Sequence, residues 1–242
     1  DNRYDHRIAL RSVDKLICRI AEMKPKISML LPTRGRPHKL KASIDSVFYL
    51  SARPDDVEVL VRMDQCDPKL AEAAALLKAY PESLEVLLAV GPRYGYEGMH
   101  RYNNELAVEA RGEWLHIWND DLEMVTKGWD ELLRAGPYYS VQFMRRDIIP
   151  AADTTVFATD RAIFQAMGHL ALHAHADDWM RDVAKGAGVA VFRDDIVFHH
   201  HRLADQTSHD RDHGGYDLAG FDAITMKALR ERDIMLVREA KP

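Results

Sequence analysis

A chain of 242 residues, 47% hydrophobic and 29% charged, can bury one sizeable core and stay dissolved. Its net charge of −5 excludes a broad nucleic-acid footprint but leaves room for a local basic groove. No apolar run reaches the roughly 18 residues of a membrane span, and residues 1–24 are too charged for a signal peptide. Cys18 and Cys66 lie far apart in no metal-like spacing, which predicts free thiols, a reducing compartment and a cytoplasmic protein.

In chain order, Ile8, Val13, Leu16, Ile17 and Ile20 recur at helical spacing, so residues 7–23 are expected to form an amphipathic helix within an N-terminal segment, 1–24. Ile27 to Leu31 reads as a buried strand stopped by Pro32, and Leu40, Ile44, Val47 and Phe48 mark a helix facing it. Val57 to Met63, Leu84 to Val90 and Trp114 to Trp118 repeat the strand pattern, with helices over 69–79 and about 99–110 between them. Strands separated by helices of this length predict right-handed parallel crossovers and helices on both sheet faces. Residues 25–121 thus read as one α/β half.

Beyond it, a helix over 127–134, strands over 138–144 and 154–158, and a helix capped by Asp160 are expected in a second half, 122–201. A helix over 177–187 and strands Val189–Phe192 and Ile196–His199 complete it. Residues 202–216 are polar and read as a loop, either a lid or a surface segment, within a 202–242 tail that ends in a helix over about 220–231.

Each parallel strand releases polar groups at its carboxyl end, where open α/β sheets bind ligands. The first gives Pro32, Thr33, Arg34, Gly35 and Arg36; the arginines either contact a ligand or are merely solvated. The second gives Asp64, a helix cap or an acceptor for a base N–H. The third leads through a glycine-rich turn to a helix start carrying His100, Arg101 and Asn103, where backbone N–H groups favour phosphate. The fourth ends in Asn119-Asp120-Asp121. Adjacent carboxylates raise each other's pKa, a penalty that a divalent cation relieves; the plain alternative is a turn.

In the second half Asp177-Asp178 opens a helix. Asp177 reads as a cap, whereas Asp178 is better aimed into a cleft as a general base. His199-His200-His201 ends a strand, so His199 and His201 share one face and His200 takes the other. Imidazoles facing a site can coordinate metal or bind phosphate.

The order of these residues resembles family 2-type glycosyltransferases of GT-A fold, over about residues 25–201. The resemblance implies a Rossmann-like, mostly parallel central sheet with a smaller acceptor-side extension. It also implies a nucleotide-diphosphate-sugar donor, expected to be a UDP-sugar, and Mn2+ or Mg2+. By the resemblance, Pro32, Thr33, Arg34 and Arg36 lie over the nucleotide and Asp64 contacts the base; Arg101, from its place at the helix start, is expected to neutralise a second phosphate charge in the donor site. Asn119 and Asp120 then lie near the ribose or sugar. Asp121, with His199 or His201, holds the metal, and Asp178 is the base acting on an acceptor hydroxyl of a glycan, lipid, protein or modified nucleobase. Asn119 replaces the first Asp of the family's Asp-x-Asp motif, and Asp64 stands in Met63-Asp64-Gln65-Cys66 rather than an Asp-Asp-Gly-Ser turn. Two rivals remain: a metal-dependent phosphohydrolase or nucleotidyltransferase, which leaves Asp178 without a role, and a binding module without turnover.

Overall fold

A computed structural model describes residues 27–147, 149–151, 156–201 and 223–242. The expected helix over 7–23 and the possible lid over 202–216 lie outside these residues. Among the described residues, eight strands form a single sheet.

Strand β1 (Ile27–Pro32) is followed by helix α1 (Pro37–Leu50), β2 (Val57–Asp64), α2 (Leu70–Lys78), β3 (Glu85–Gly91), α3 (Met99–Glu109) and β4 (Trp114–Ile117). β1 pairs in parallel with β2 and β4, and β2 with β3. All eight residues of β2 are buried, as in a parallel strand covered on both faces, and its charged Glu58, Arg62 and Asp64 are paired with Arg111, Glu105 and Arg34. Alternation divides the side chains. Met29, Leu31, Val59 and Val61 pack with Leu40, Ile44 and Val47 of α1 and Ala73 and Leu77 of α2. Leu30, Leu60, Leu115 and Ile117 pack the opposite way, with Leu106 and Ala107 of α3. Each such fully buried aliphatic contributes about 1.5–3 kcal/mol relative to exposure.

The second half adds β5 (Leu122–Met124), α4 (Trp129–Arg134), β6 (Val141–Arg146), β7 (Phe157–Asp160), α5 (Arg161–Met167), α6 (Ala176–Ala187), β8 (Ala190–His200) and α7 (Ala223–Glu239). The strand order is β3-β2-β1-β4-β7-β6-β8-β5. β7 runs antiparallel to β4 and β6, β8 runs parallel to β6, and β5 runs antiparallel to β8. The sheet is therefore mostly parallel in direction, with helices on both faces.

Several expected boundaries shift. The two short strands over 189–199 are one strand, β8, whose pairing with β6 changes register between Met144 and Arg145. β5 has too few residues to show a period in sequence. α7 runs well past residue 231, held by Tyr139 Oη donating to Val237 O and by Trp179 Nε1 donating to the buried Asp233. Asp160 caps α5 as expected, accepting from Ala162 N at 2.8 Å.

Candidate functional site

The loop leaving β1 is pinned before it turns. Thr33 N–H donates to Arg62 O of β2, and Gly35, at φ +69°, takes the left-handed conformation that a side chain would strain. Gly35 N–H donates to Asp67 Oδ2 at 2.8 Å. Pro37 then opens α1, where the missing N–H costs nothing.

This loop meets the end of β4. Thr33 Oγ1 donates to Asp120 Oδ2 at 2.5 Å, and Arg36 grips the same carboxylate with Nε at 3.1 Å and Nη2 at 2.5 Å. Such a fork is the strong form of an arginine–carboxylate contact. Burial pushes Asp120 up to about 6, while Arg36 and Thr33 restrain the rise. Asp120, expected near the ribose or sugar, is 1% exposed, and its oxygens hold Thr33 and Arg36.

Asp121 is different. It lies 3.5 Å from His200 Nε2 and 4.0 Å from Arg36 Nη1. Burial alone would raise its pKa, but the His200 contact and charge, with Arg36, outweigh it and keep the carboxyl below its usual range. The backbone closes the same contact, because His201 N–H donates to Asp121 O at 3.0 Å. Asn119 offers its carbonyl to Ser43 Oγ at 3.1 Å.

The imidazole facing Asp121 is thus His200, whereas the sequence pointed to His199 or His201. β8 alternates, and His200 has the parity of Ile196 and Phe198, both fully buried. His199 and His201 turn the other way: His199 Nδ1 pairs with Asp147, and His201 Nε2 lies 2.9 Å from Glu123 Oε1. The apolar residues two and four positions earlier carried that signal.

At the end of β2, Asp64 is buried and doubly engaged, by Tyr102 Oη at 2.7 Å and Arg34 Nη1 at 3.1 Å. Tyr102 Oη also accepts Tyr94 N–H and Gly95 N–H, so one hydroxyl ties the β3–α3 turn to the base-contact candidate. Burial raises the Tyr102 pKa against the effect of those two amides. Nothing in the sequence marks Tyr102, because its partners are 7, 8 and 38 residues away. Arg101 is exposed, its guanidinium 5.4 Å over the Tyr94 ring.

Asp178 lies in the first turn of α6, 57% exposed, with Arg181 Nη1 at 2.7 Å and His175 Nδ1 at 4.0 Å. Asp177 is less exposed, and burial and then Asp178 raise its pKa. His175, Asp177 and Asp178 each bring a ligand-type atom within 4.8 Å of the others. His173 Nδ1 accepts the His175 N–H, and burial, then His175, hold His173 down to about 4. Asp178's neighbour Trp179 is fixed by Asp233 of α7, which also meets His169 Nε2 at 3.3 Å.

No protein-family model matches the chain. Over 110 residues, 45% of its length, it is 32% identical to the O-antigen biosynthesis protein RfbC of Myxococcus xanthus. The chain spans only 8% of that relative. Among solved structures it is similar to the mannosyltransferase PcManGT from Pyrobaculum calidifontis, in complex with GDP-Man and Mn2+. The TM-score is 0.61 at 14% identity, covering 90% of this chain and 74% of that one. TarS 1-349 of S. aureus in complex with UDP gives a TM-score of 0.56 at 10% identity, covering 72% and 60%. At such identities the likeness is one of fold, and that fold is the GT-A type of these glycosyltransferases.

Proposed function

We propose that the chain is a metal-dependent, inverting glycosyltransferase moving a sugar from a nucleotide-diphosphate-sugar, a UDP-sugar, to an acceptor hydroxyl. The observation that carries the reading is Asp121, kept ionised 3.5 Å from His200, on the edge where Thr33, Arg34, Arg36 and Asp64 converge. His200 Nδ1 is buried and has no partner among the described residues, so the ring is not held by other bonds. A carboxylate beside an imidazole suits Mn2+, and Mg2+ less well. Asp121 and His200 would hold the ion, which when bound offsets charge on the diphosphate.

The chain's own groups carry the remaining steps. Pro32, Thr33 and Arg34 line the nucleotide, and Asp64, oriented by Tyr102, accepts a base N–H. Arg36, fixed by Asp120, and Arg101 at the start of α3 face the phosphates. Asn119 faces the ribose. Asp178 takes the proton of the acceptor hydroxyl as its oxygen bonds to the anomeric carbon. The bond from that carbon to the diphosphate breaks, and the nucleoside diphosphate leaves with the electron pair. One displacement inverts the configuration. Complexes of similarly folded proteins with GDP-Man and Mn2+, UDP, and UDP-GlcNAc support a nucleotide-sugar donor. The segment shared with an O-antigen biosynthesis protein favours a glycan among the acceptors. No helix among the described residues is long and apolar enough to cross a membrane; the exposed free thiol of Cys66 favours a reducing, cytoplasmic setting.

Incubation with UDP-sugars and Mn2+, with GDP-sugars as controls, tests the reading. Release of nucleoside diphosphate with transfer to an added glycan is expected. Release of monophosphate would make the protein a phosphohydrolase, and binding without product would make it a binding module.

A further inference from the structure

His199 and His201 are left over by the site described above, and their surroundings come from three separate elements. β8 lies between β6 and β5 in the sheet. Asp147, just after β6, meets His199 Nδ1 from one side, and its N–H donates to Phe198 O at 3.0 Å. Glu123 of β5 is the cross-strand partner of His199 and lies 2.9 Å from His201 Nε2, an ion-pair contact rather than an aligned hydrogen bond. The two imidazole rings have centroids 4.4 Å apart at 77°.

A carboxylate on one ring nitrogen is how metal-ligating histidines are oriented. Asp147 takes His199 Nδ1 and leaves Nε2 available, His201 Nε2 makes no hydrogen bond among the described residues, and the two rings lie side by side at the end of β8. With imidazole N–metal distances of about 2.0–2.1 Å, one ion can be shared by two rings this close. The chemistry also separates this pair from the donor site. Two imidazoles with flanking carboxylates select borderline transition ions such as Zn2+ or Co2+. The donor site offers one carboxylate and one imidazole and relies on a diphosphate to complete it.

We propose that His199 and His201, with Asp147 and Glu123 behind them, form a second divalent transition-metal site, independent of nucleotide and distinct from the Asp121–His200 site. An ion bound there joins β8 to the flanking segments of β6 and β5, and β5 directly follows Asp121. The site thereby braces the edge that carries the donor-site carboxylate.

The test is titration of Zn2+ or Co2+ alone, without nucleotide, into the full chain, read by calorimetry and by the visible absorption of bound Co2+. Wild type and Asp121→Asn should show the same binding event. His199→Gln and His201→Gln should each weaken it at least tenfold, and the double variant should abolish it. Asp147→Asn should weaken it roughly 10–100-fold, as loss of a ligand's hydrogen-bond partner does, and Glu123→Gln should weaken it less. Circular dichroism of the metal-free variants checks that each is folded. An event that survives the double variant, one abolished by Asp121→Asn, or none in wild type overturns the proposal.

Discussion

The ends of β2 and β4 and the start of α6 present their carboxylates in opposite ways. At the ends of β2 and β4, Asp64 and Asp120 are buried and held by residues 30 to 87 positions away in sequence. At the start of α6 Asp178 is largely exposed, and it meets Arg181 and His175, each three positions away in sequence. A nucleotide diphosphate is a fixed chemical group that rewards a preorganised frame. A proton acceptor needs reach and a water-excluding partner, which the acceptor itself can supply.

The sharpest way to break this contrast is to remove one carboxylate from each side. Asp121→Ala should abolish both transfer and the Mn2+-dependent thermal shift by the donor; the shift in wild type is about 2.7 kcal/mol at 100 times Kd. Asp178→Asn should keep that shift and lose roughly 10²–10⁴-fold in turnover. Full transfer by Asp178→Asn would remove it as the base and leave Asp177 to be tested next.

Acid stability compares the two halves through buried imidazoles. His116 of β4 is fully buried between Trp118 and Trp129, and burial holds it down to about 4. Its folded pKa is depressed, so its neutral form contributes stability fully above about pH 6.5, lost as pH falls toward 4. The loss is on the order of 3 kcal/mol by pH 4. His116→Leu should flatten the fall of the unfolding midpoint between pH 7 and pH 4.5. His173 is also held near 4, but it is only partly buried, so His173→Asn should flatten it less.

The smallest expected effect concerns the frame itself. Tyr102→Phe leaves Asp64 and two loop amides short of a partner. A cost of about 1–3 kcal/mol follows, or roughly 2–4 °C of midpoint per kcal/mol. The donor KM should rise with kcat nearly unchanged. A fall in kcat alone would place Tyr102 in the chemistry instead.

Much of the donor half is legible in the residues because it rests on local rules. Largely apolar runs such as Ile27 to Leu31, set between helical patterns, read as covered parallel strands, and the polar group after each run emerges at the carboxyl edge. The α6 start and the Asp160 cap are equally local. The second half is harder to read. β5 is three residues long, and β8 keeps one strand across a change of register that makes its sequence look like two.

By itself the sequence determined the alternation of strands and helices, the four polar strand ends and the opposite faces of the histidine triplet, since each follows from spacing along one segment. Only the tertiary structure decided which carboxylate is buried and which is exposed, and that His200 rather than its neighbours meets Asp121. Those outcomes depend on which side chains from distant segments arrive at the same point. Arg36 reaching Asp120 across 84 residues is a contact that no local pattern encodes.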